Sequence, residues 1–220
     1  MKKPKLIIPP KRLMTQTNWG DPVMYHYYPV ASIVYRQRLR NTYKLLGPYQ
    51  FENLIEIGYG SGIFLPTLSK IAKKVTALDL HKETDAVKRM LDWYQVNNVE
   101  LVSSDIMAMP FADATFDACV IVSTLEDIHE SERAAREIAR IVKPGGLVVI
   151  SFPVKNIITD SFFKLVGEDP EDIHPSDHNY LLGFLGKQFT IEKQLLLPSF
   201  VPLNLSLYVS VRMRNTPPKP

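Results

Sequence analysis

Three glycines at alternate positions follow directly on an apolar run that carries one acid, in the stretch Asn53-Leu54-Ile55-Glu56-Ile57-Gly58-Tyr59-Gly60-Ser61-Gly62-Ile63-Phe64. Glycine adopts positive φ without penalty, and lacking a Cβ it lets a bulky ligand press against the main chain. A helix start behind such a turn presents unpaired N–H groups to anionic or polar ligand atoms. The spacing separates one ligand class from another. A dinucleotide turn reads Gly-x-Gly-x-x-Gly, and its third glycine would fall where this chain has Ile63. A nicotinamide-dependent dehydrogenase is therefore the weakest reading. Glu56, at the end of an apolar strand, needs an amine or main-chain amides to satisfy it.

A second chemical signal lies at Asp79, 21 residues after Gly58. In doubly wound folds an acid about 20 residues past the glycines sits at the neighbouring strand's end and accepts both ribose hydroxyls. No metal-ligand spacing is visible. Cys119 stands in an apolar run as the only cysteine, so no disulfide can form within the chain.

The elements that must hold these residues alternate strand and helix. Leu54 to Ile57 reads as a buried strand, and Ile63 to Ala72 as a helix, with Pro66 tolerated near its start. Lys74 to Asp79 is the second strand, and Thr84 to Val96 a helix striped by Val87, Met90, Leu91 and Tyr94. Val99 to Val102 and Ala118 to Val122 are further strands. Ser131 is positioned to cap a helix striped by Ala134, Ile138, Ile141 and Val142. The turn Lys143-Pro144-Gly145-Gly146 then leads into the strand Leu147 to Phe152. Phe189 to Leu197 and Leu205 to Met213 read as two terminal strands, with short helices at Asp160–Val166 and Tyr180–Lys187 before them. Upstream, Pro29 suits a helix start, and Val30, Ile33, Val34, Leu39, Tyr43 and Leu46 stripe a helix over 30–46. The cluster Tyr25-His26-Tyr27-Tyr28 before it is either an aromatic lid or packing for that helix.

Four stations in order now resemble class I S-adenosylmethionine (SAM) dependent methyltransferases, closest to the type 11 subgroup. They are Glu56-x-Gly58-x-Gly60-x-Gly62, Asp79, the passage Asp105 to Asp117 with its Met109-Pro110-Phe111 step, and Lys143-Pro144-Gly145-Gly146 before a strand. The resemblance implies an α/β, doubly wound, Rossmann-like fold: a seven-stranded, mostly parallel sheet with an antiparallel last strand. It implies SAM as cofactor, bound by Glu56, Gly58, Tyr59, Gly60, Gly62, Asp79, Leu80, Asp105, Ile106 and Ser123. Asp105 would accept the adenine amino group, and Glu56 would stand near the methionine end. His81 is placed to touch the adenosine edge, while His129 reads as surface. The variable segment 153–187 would overlie the acceptor, which makes His174, Asp177 and His178 candidates for a general base; solvation in a polar loop is the competing fate. Transfer from a sulfonium rests mainly on positioning. A base is needed only where the acceptor carries a proton.

Length and composition suit one such domain. The chain has 220 residues, 45% of them hydrophobic, with a net charge of +3. The division expected is a basic, proline-rich arm over 1–22, extended or mobile, one domain over 23–213, and a tail over 214–220. Residues 1–50 carry nine Lys/Arg against the single acid Asp21, enough to attract an acidic partner. No apolar run reaches the roughly 18 residues of a membrane span, and Leu6-Ile7-Ile8 is too short for a signal-peptide core. A cytoplasmic protein is the expectation. The function expected is SAM-dependent methylation of a small molecule: a metabolite, lipid or quinone precursor. An RNA methyltransferase using the basic N-terminal region, or a non-catalytic SAM-binding protein, are the alternatives. Oligomeric state, acceptor and methylated atom are not encoded in any motif.

Overall fold

Leu54, Ile55 and Ile57 are almost wholly buried, because the strand that holds them lies in the middle of a sheet covered on both faces. A computed structural model describes residues 5–18, 20–48, 50–167 and 177–216. Its strands are β1 (Phe51–Ile57), β2 (Ala72–Asp79), β3 (Val99–Ser103), β4 (Phe116–Val122), β5 (Val142–Pro153), β6 (Thr190–Leu197) and β7 (Tyr208–Arg214). They form a 7-stranded sheet in the order β3-β2-β1-β4-β5-β7-β6. The first five strands are parallel, and β7 runs antiparallel between β5 and β6. This is the doubly wound sheet the resemblance implies. The strand order reverses beside β1, where open α/β sheets bind ligands.

The helices are α1 (Ala31–Leu45), α2 (Leu65–Leu68), α3 (Asp85–Trp93), α4 (Ser131–Ile141), α5 (Ile157–Val166) and α6 (His178–Gln188). Side chains alternate across a strand, so the strands feed two cores. Ile55, Ile57, Cys119, Ile121, Val148 and Ile150 pack under α4 and α6. Leu54, Val75, Ala77, Val120 and Val149 pack under α1, α2 and α3.

Several local expectations are corrected. The helix read over Ile63–Ala72 is one turn, α2, because the chain tightens into i→i+3 bonds at Lys70 and Ile71 and enters β2 at Ala72. Ser131 is the first residue of α4 rather than its cap. The buried face of α1 is turned from the one read: Val30 and Ile33 are exposed, while Ala31, Tyr35, Arg38, Leu39 and Thr42 point inward.

The N-terminal segment is not a free arm over the residues described. The Ile7 amide donates to Thr67 Oγ1 at 2.9 Å, the Tyr27 hydroxyl donates to the Pro9 carbonyl at 2.6 Å, and Met14 is buried. Nor does structure stop at Met213. Asn215 continues the β5–β7 pairing through the backbones of Gly145 and Gly146, and its Nδ2 donates to the carbonyls of Ala139 at 2.8 Å and Val142 at 2.7 Å.

Candidate functional site

At the carboxyl ends of β1, β2 and β4, a cavity of about 520 Å³ opens between the sheet and the N-terminal segment. Its floor is the glycine turn. Gly58, Gly60 and Gly62 have φ of 73°, 51° and 75°, a region closed to most side chains. Their neighbours differ. A Cβ on Gly58 would lie 2.1 Å from Thr124 Oγ1, and one on Gly62 would lie 2.8 Å from Val87 Cγ1. Gly58 and Gly60 line the cavity, whereas Gly62 packs beneath it and does not.

Asp79 ends β2 on one side of this floor. Its Oδ2 accepts from the Gly60 amide at 2.8 Å, and its Oδ1 accepts from the amides of Leu80 at 2.7 Å and His81 at 3.3 Å. A carboxylate has about four lone-pair sites, so capacity for hydroxyl donors remains. His81 Nε2 lies 3.0 Å from the Gly60 carbonyl, and its ring stands edge-on to Tyr59 at 4.9 Å. His81 therefore buttresses the turn. Asp105 caps the helical turn Ile106–Ala108 by accepting from the Met107 amide at 2.8 Å, and both Asp105 and Ile106 line the cavity. Leu80 does so from an exposed position.

Glu56 is the most unusual group on the floor. It is 4% exposed, and its Oε2 has no hydrogen-bond partner. Burial, and after it the charge of Asp79, pushes its pKa well above the usual carboxyl value. A buried carboxyl with a spare oxygen costs stability, and a cation brought into the cavity would relieve that cost.

The β4 side has a different character. Ser123 has φ of 52°, a strain on the order of 1–3 kcal/mol that clusters at functional sites. Its hydroxyl is met by Arg38 Nη1 at 2.6 Å. Arg38 is 4% exposed, with its guanidinium 4.5 Å from the Tyr35 ring centroid and 5.5 Å from that of Tyr208. His26 is 1% exposed, with Nδ1 unpartnered. Burial first, then the charges of Arg38 and Arg36, push its pKa well down. Arg38, His26 and Thr124 line the cavity; the sequence placed His26 in the Tyr25–Tyr28 cluster, read as lid or packing, and gave Arg38 and Thr124 no role. Arg38 left a faint trace as a charged residue three after Tyr35 on the inward face of α1.

Asp21 roofs the floor. Its carboxylate accepts from the Thr17 amide (3.0 Å) and hydroxyl (3.1 Å) and from the Val23 amide (3.1 Å), and stands 3.5 Å from Ser61 Oγ. Burial raises its pKa in spite of these donors. The Gly20-Asp21-Pro22 punctuation marks the turn, but nothing local says that it folds back over Gly60.

Of the residues considered as a general base, His174 lies outside the described residues. Asp177 caps α6, accepting from the Asn179 amide at 2.7 Å, and His178 is buried with Nδ1 accepting from the Lys155 amide at 3.2 Å. Neither lines this cavity. Of the two, His178 anchors α6 to the exit of β5. Among the described residues no group of three His, Cys, Asp or Glu could hold a metal ion, and no helix is long and apolar enough to cross a membrane.

Residues 55–150 match a family model described as a methyltransferase domain. The chain is 35% identical over 144 residues to a demethylmenaquinone methyltransferase of Corynebacterium kroppenstedtii, covering 59% of this chain and 60% of that protein. It is 29% identical over 118 residues to the ubiquinone/menaquinone biosynthesis C-methyltransferase UbiE of Hahella chejuensis, 50% of this chain and 47% of the relative. The chain thus spans about half the length of the curated relatives it matches. The N-methyltransferase NodS of Bradyrhizobium japonicum, solved with S-adenosylhomocysteine, shares the fold with a TM-score of 0.65 at 19% identity, over 92% of this chain and 94% of that one.

Proposed function

We propose that this chain, whose residues 55–150 match a methyltransferase-domain model, is a class I SAM-dependent methyltransferase of type 11 that methylates a small molecule, with a quinone precursor the best candidate. The observation that carries the cofactor assignment is the spare oxygen of buried Glu56 on the same cavity floor as Asp79 and Asp105. An amino-acid ammonium would meet Glu56. Ribose hydroxyls would meet Asp79, and an adenine amino group Asp105 with the Ile106 main chain. The backbone of Gly58 and Gly60 lets the ligand approach closely between them. The cofactor, when bound, supplies the methyl group already activated on sulfur.

The rest falls to the chain. It must hold the acceptor in line with the methyl group and keep water out, which together contribute about 7–11 kcal/mol in well-oriented systems. Asn18, the stretch Gly20 to Val23, and Arg38 and Leu39 of α1 line the cavity from above, in keeping with that task. The small-molecule reading is favoured over RNA by the N-terminal segment, two of whose cations are engaged within the fold: Arg12 lies over Trp93 at 5.1 Å and Lys11 over Tyr28 at 5.4 Å. The quinone precursor comes from what the relatives are named for.

Titration calorimetry with S-adenosylhomocysteine, followed by a labelled-methyl transfer screen over metabolite pools, tests the reading. Absence of cofactor binding would end it. Label arriving only in RNA would replace its acceptor half.

A further inference from the structure

The cavity divides into two chemistries. Over β1, β2 and β3 stand the carboxyls Glu56, Asp79 and Asp105; over β4 stand Arg38, Ser123 and His26. Resting on the methyl-transfer reading above, we propose that the β4 side is an acceptor subsite built for a phenol or enol: Arg38, held by Ser123, pairs with the acceptor oxygen as it becomes an anion, and His26 receives its proton.

Arg38 is the first support. A cation on α1 would ordinarily extend to water, yet this one is buried, with Nε unpartnered. Stacking on Tyr35 and the bond to Ser123 fix the plane of its guanidinium. The buried acid beside it is Glu126, whose pKa is pushed well up, by burial first and then by the charge of Asp127, with Arg38 opposing. Neither Glu126 oxygen has a hydrogen-bond partner, so that carboxyl is not bonded to the Arg38 guanidinium. Asp127, at the cavity lining, is the remaining nearby acid. A buried and incompletely balanced guanidinium favours an anion at its open face.

His26 is the second support. It shares the Tyr35 ring with Arg38, standing edge-on at 5.6 Å, and has an unused ring nitrogen. Burial first, then the charges of Arg38 and Arg36, lower its pKa and favour the neutral ring, the form a base requires. An imidazole with a depressed pKa is a weak base, but the same Arg38 charge lowers the pKa of a hydroxyl placed beside it. Acid and base are thereby brought toward each other.

In the proposed step the acceptor O–H bond breaks and its proton passes to His26. The electron pair released, at oxygen or at a conjugated ring carbon, forms the bond to the methyl carbon. The carbon–sulfur pair stays on sulfur, leaving S-adenosylhomocysteine. For attack at carbon, the displaced ring proton returns to the oxygen. The His26 imidazolium, repelled by Arg36 and Arg38, then gives its proton to water.

The test uses the full chain loaded with S-adenosylhomocysteine and two probes, 4-nitrophenol and 4-nitroanisole, alike except for the ionisable hydroxyl. Binding of S-adenosylhomocysteine is measured first; its failure would sink the methyl-transfer reading, whereas failure of the later arms with it bound sinks only the subsite. 4-Nitrophenol is expected to bind at least about tenfold tighter than 4-nitroanisole, with its phenolate absorption persisting to lower pH than in water. Arg38→Met should abolish that preference and Arg38→Lys restore part of it. His26→Gln should keep phenolate binding while lowering kcat for methylation of 1,4-naphthohydroquinone about a hundredfold with little change in KM. Equal binding of the two probes by the unaltered protein overturns the proposal without any variant. So does bound phenolate in Arg38→Met, or undiminished kcat in His26→Gln.

Discussion

Gly58 and Thr124 leave no room between them: a methyl group on Gly58 would meet Thr124 Oγ1 at 2.1 Å and Cγ2 at 2.6 Å. The first glycine of the turn is thus required by the loop after β4 as much as by any ligand. Gly58→Ala should cost about 2–5 kcal/mol, combining left-handed strain of about 1–2 kcal/mol with overpacking of about 1–3 kcal/mol. Adding Thr124→Gly should return the packing part and leave the strain. Urea denaturation of the single and double variants reads both, and an unchanged midpoint for Gly58→Ala would show that Thr124 swings clear.

Glu56→Gln should stabilise the free protein above neutral pH, because glutamine has no carboxylate charge to hold in a buried site. Glu56 has its folded pKa raised above the ordinary 4.5 by burial, then by Asp79. Below the unfolded value both states are protonated and nothing is lost. As pH rises past it, the unfolded chain ionises first, and stability falls toward the folded pKa. Glutamine removes that slope. The same change should weaken S-adenosylhomocysteine binding. Thermal melts from pH 4 to pH 8 check the first claim, and a slope that survives in the variant refutes it.

Asp79→Ala should lose cofactor affinity by about 1.5–3 kcal/mol for each charge-assisted hydrogen bond to ribose. It also frees the Gly60 amide, which Asp79 holds at 2.8 Å. Asp79→Asn keeps an acceptor for that amide but not the charge, so its affinity should fall between the two. Calorimetry with S-adenosylhomocysteine measures the series; native affinity in Asp79→Ala would place the ribose elsewhere.

Asn215→Ala should destabilise the fold by about 1–3 kcal/mol, because the carbonyls of Ala139 and Val142 lose their Nδ2 donor. The cofactor cavity lies at the opposite end of β5, so affinity should be unchanged. Chemical denaturation beside calorimetry separates the two effects.

What the sequence disclosed is what is local. Short apolar runs mark β1, β2 and β4, and the glycines mark the turn, since both are set by neighbours a few residues away. Asp79 was found because it ends a strand about 20 residues past that turn, and Asp105 because its passage resembles the family's next motif. Arg38 and Ser123 were not joined, being 85 residues apart, and Asp21 meets Ser61 across 40. The helical stripe on α1 was read from apolar residues alone. That put Ile33 inside and Arg38 outside, because burial of a charge depends on partners from other elements. Asp177 and His178 looked like acid–base chemistry from their types, and the structure uses them for capping and anchoring.

The latch at Asp21 also sets a clock. A ligand seated on Gly60 and Ser61 would lie beneath a carboxylate that Thr17 and Val23 hold from above. If its release needs those bonds to open, Thr17→Ala should raise the off-rate of S-adenosylhomocysteine in stopped-flow displacement, and an unchanged off-rate would show that the ligand leaves by another face. Loosening Thr17 would speed the exchange of spent cofactor without touching the group that carries the methyl.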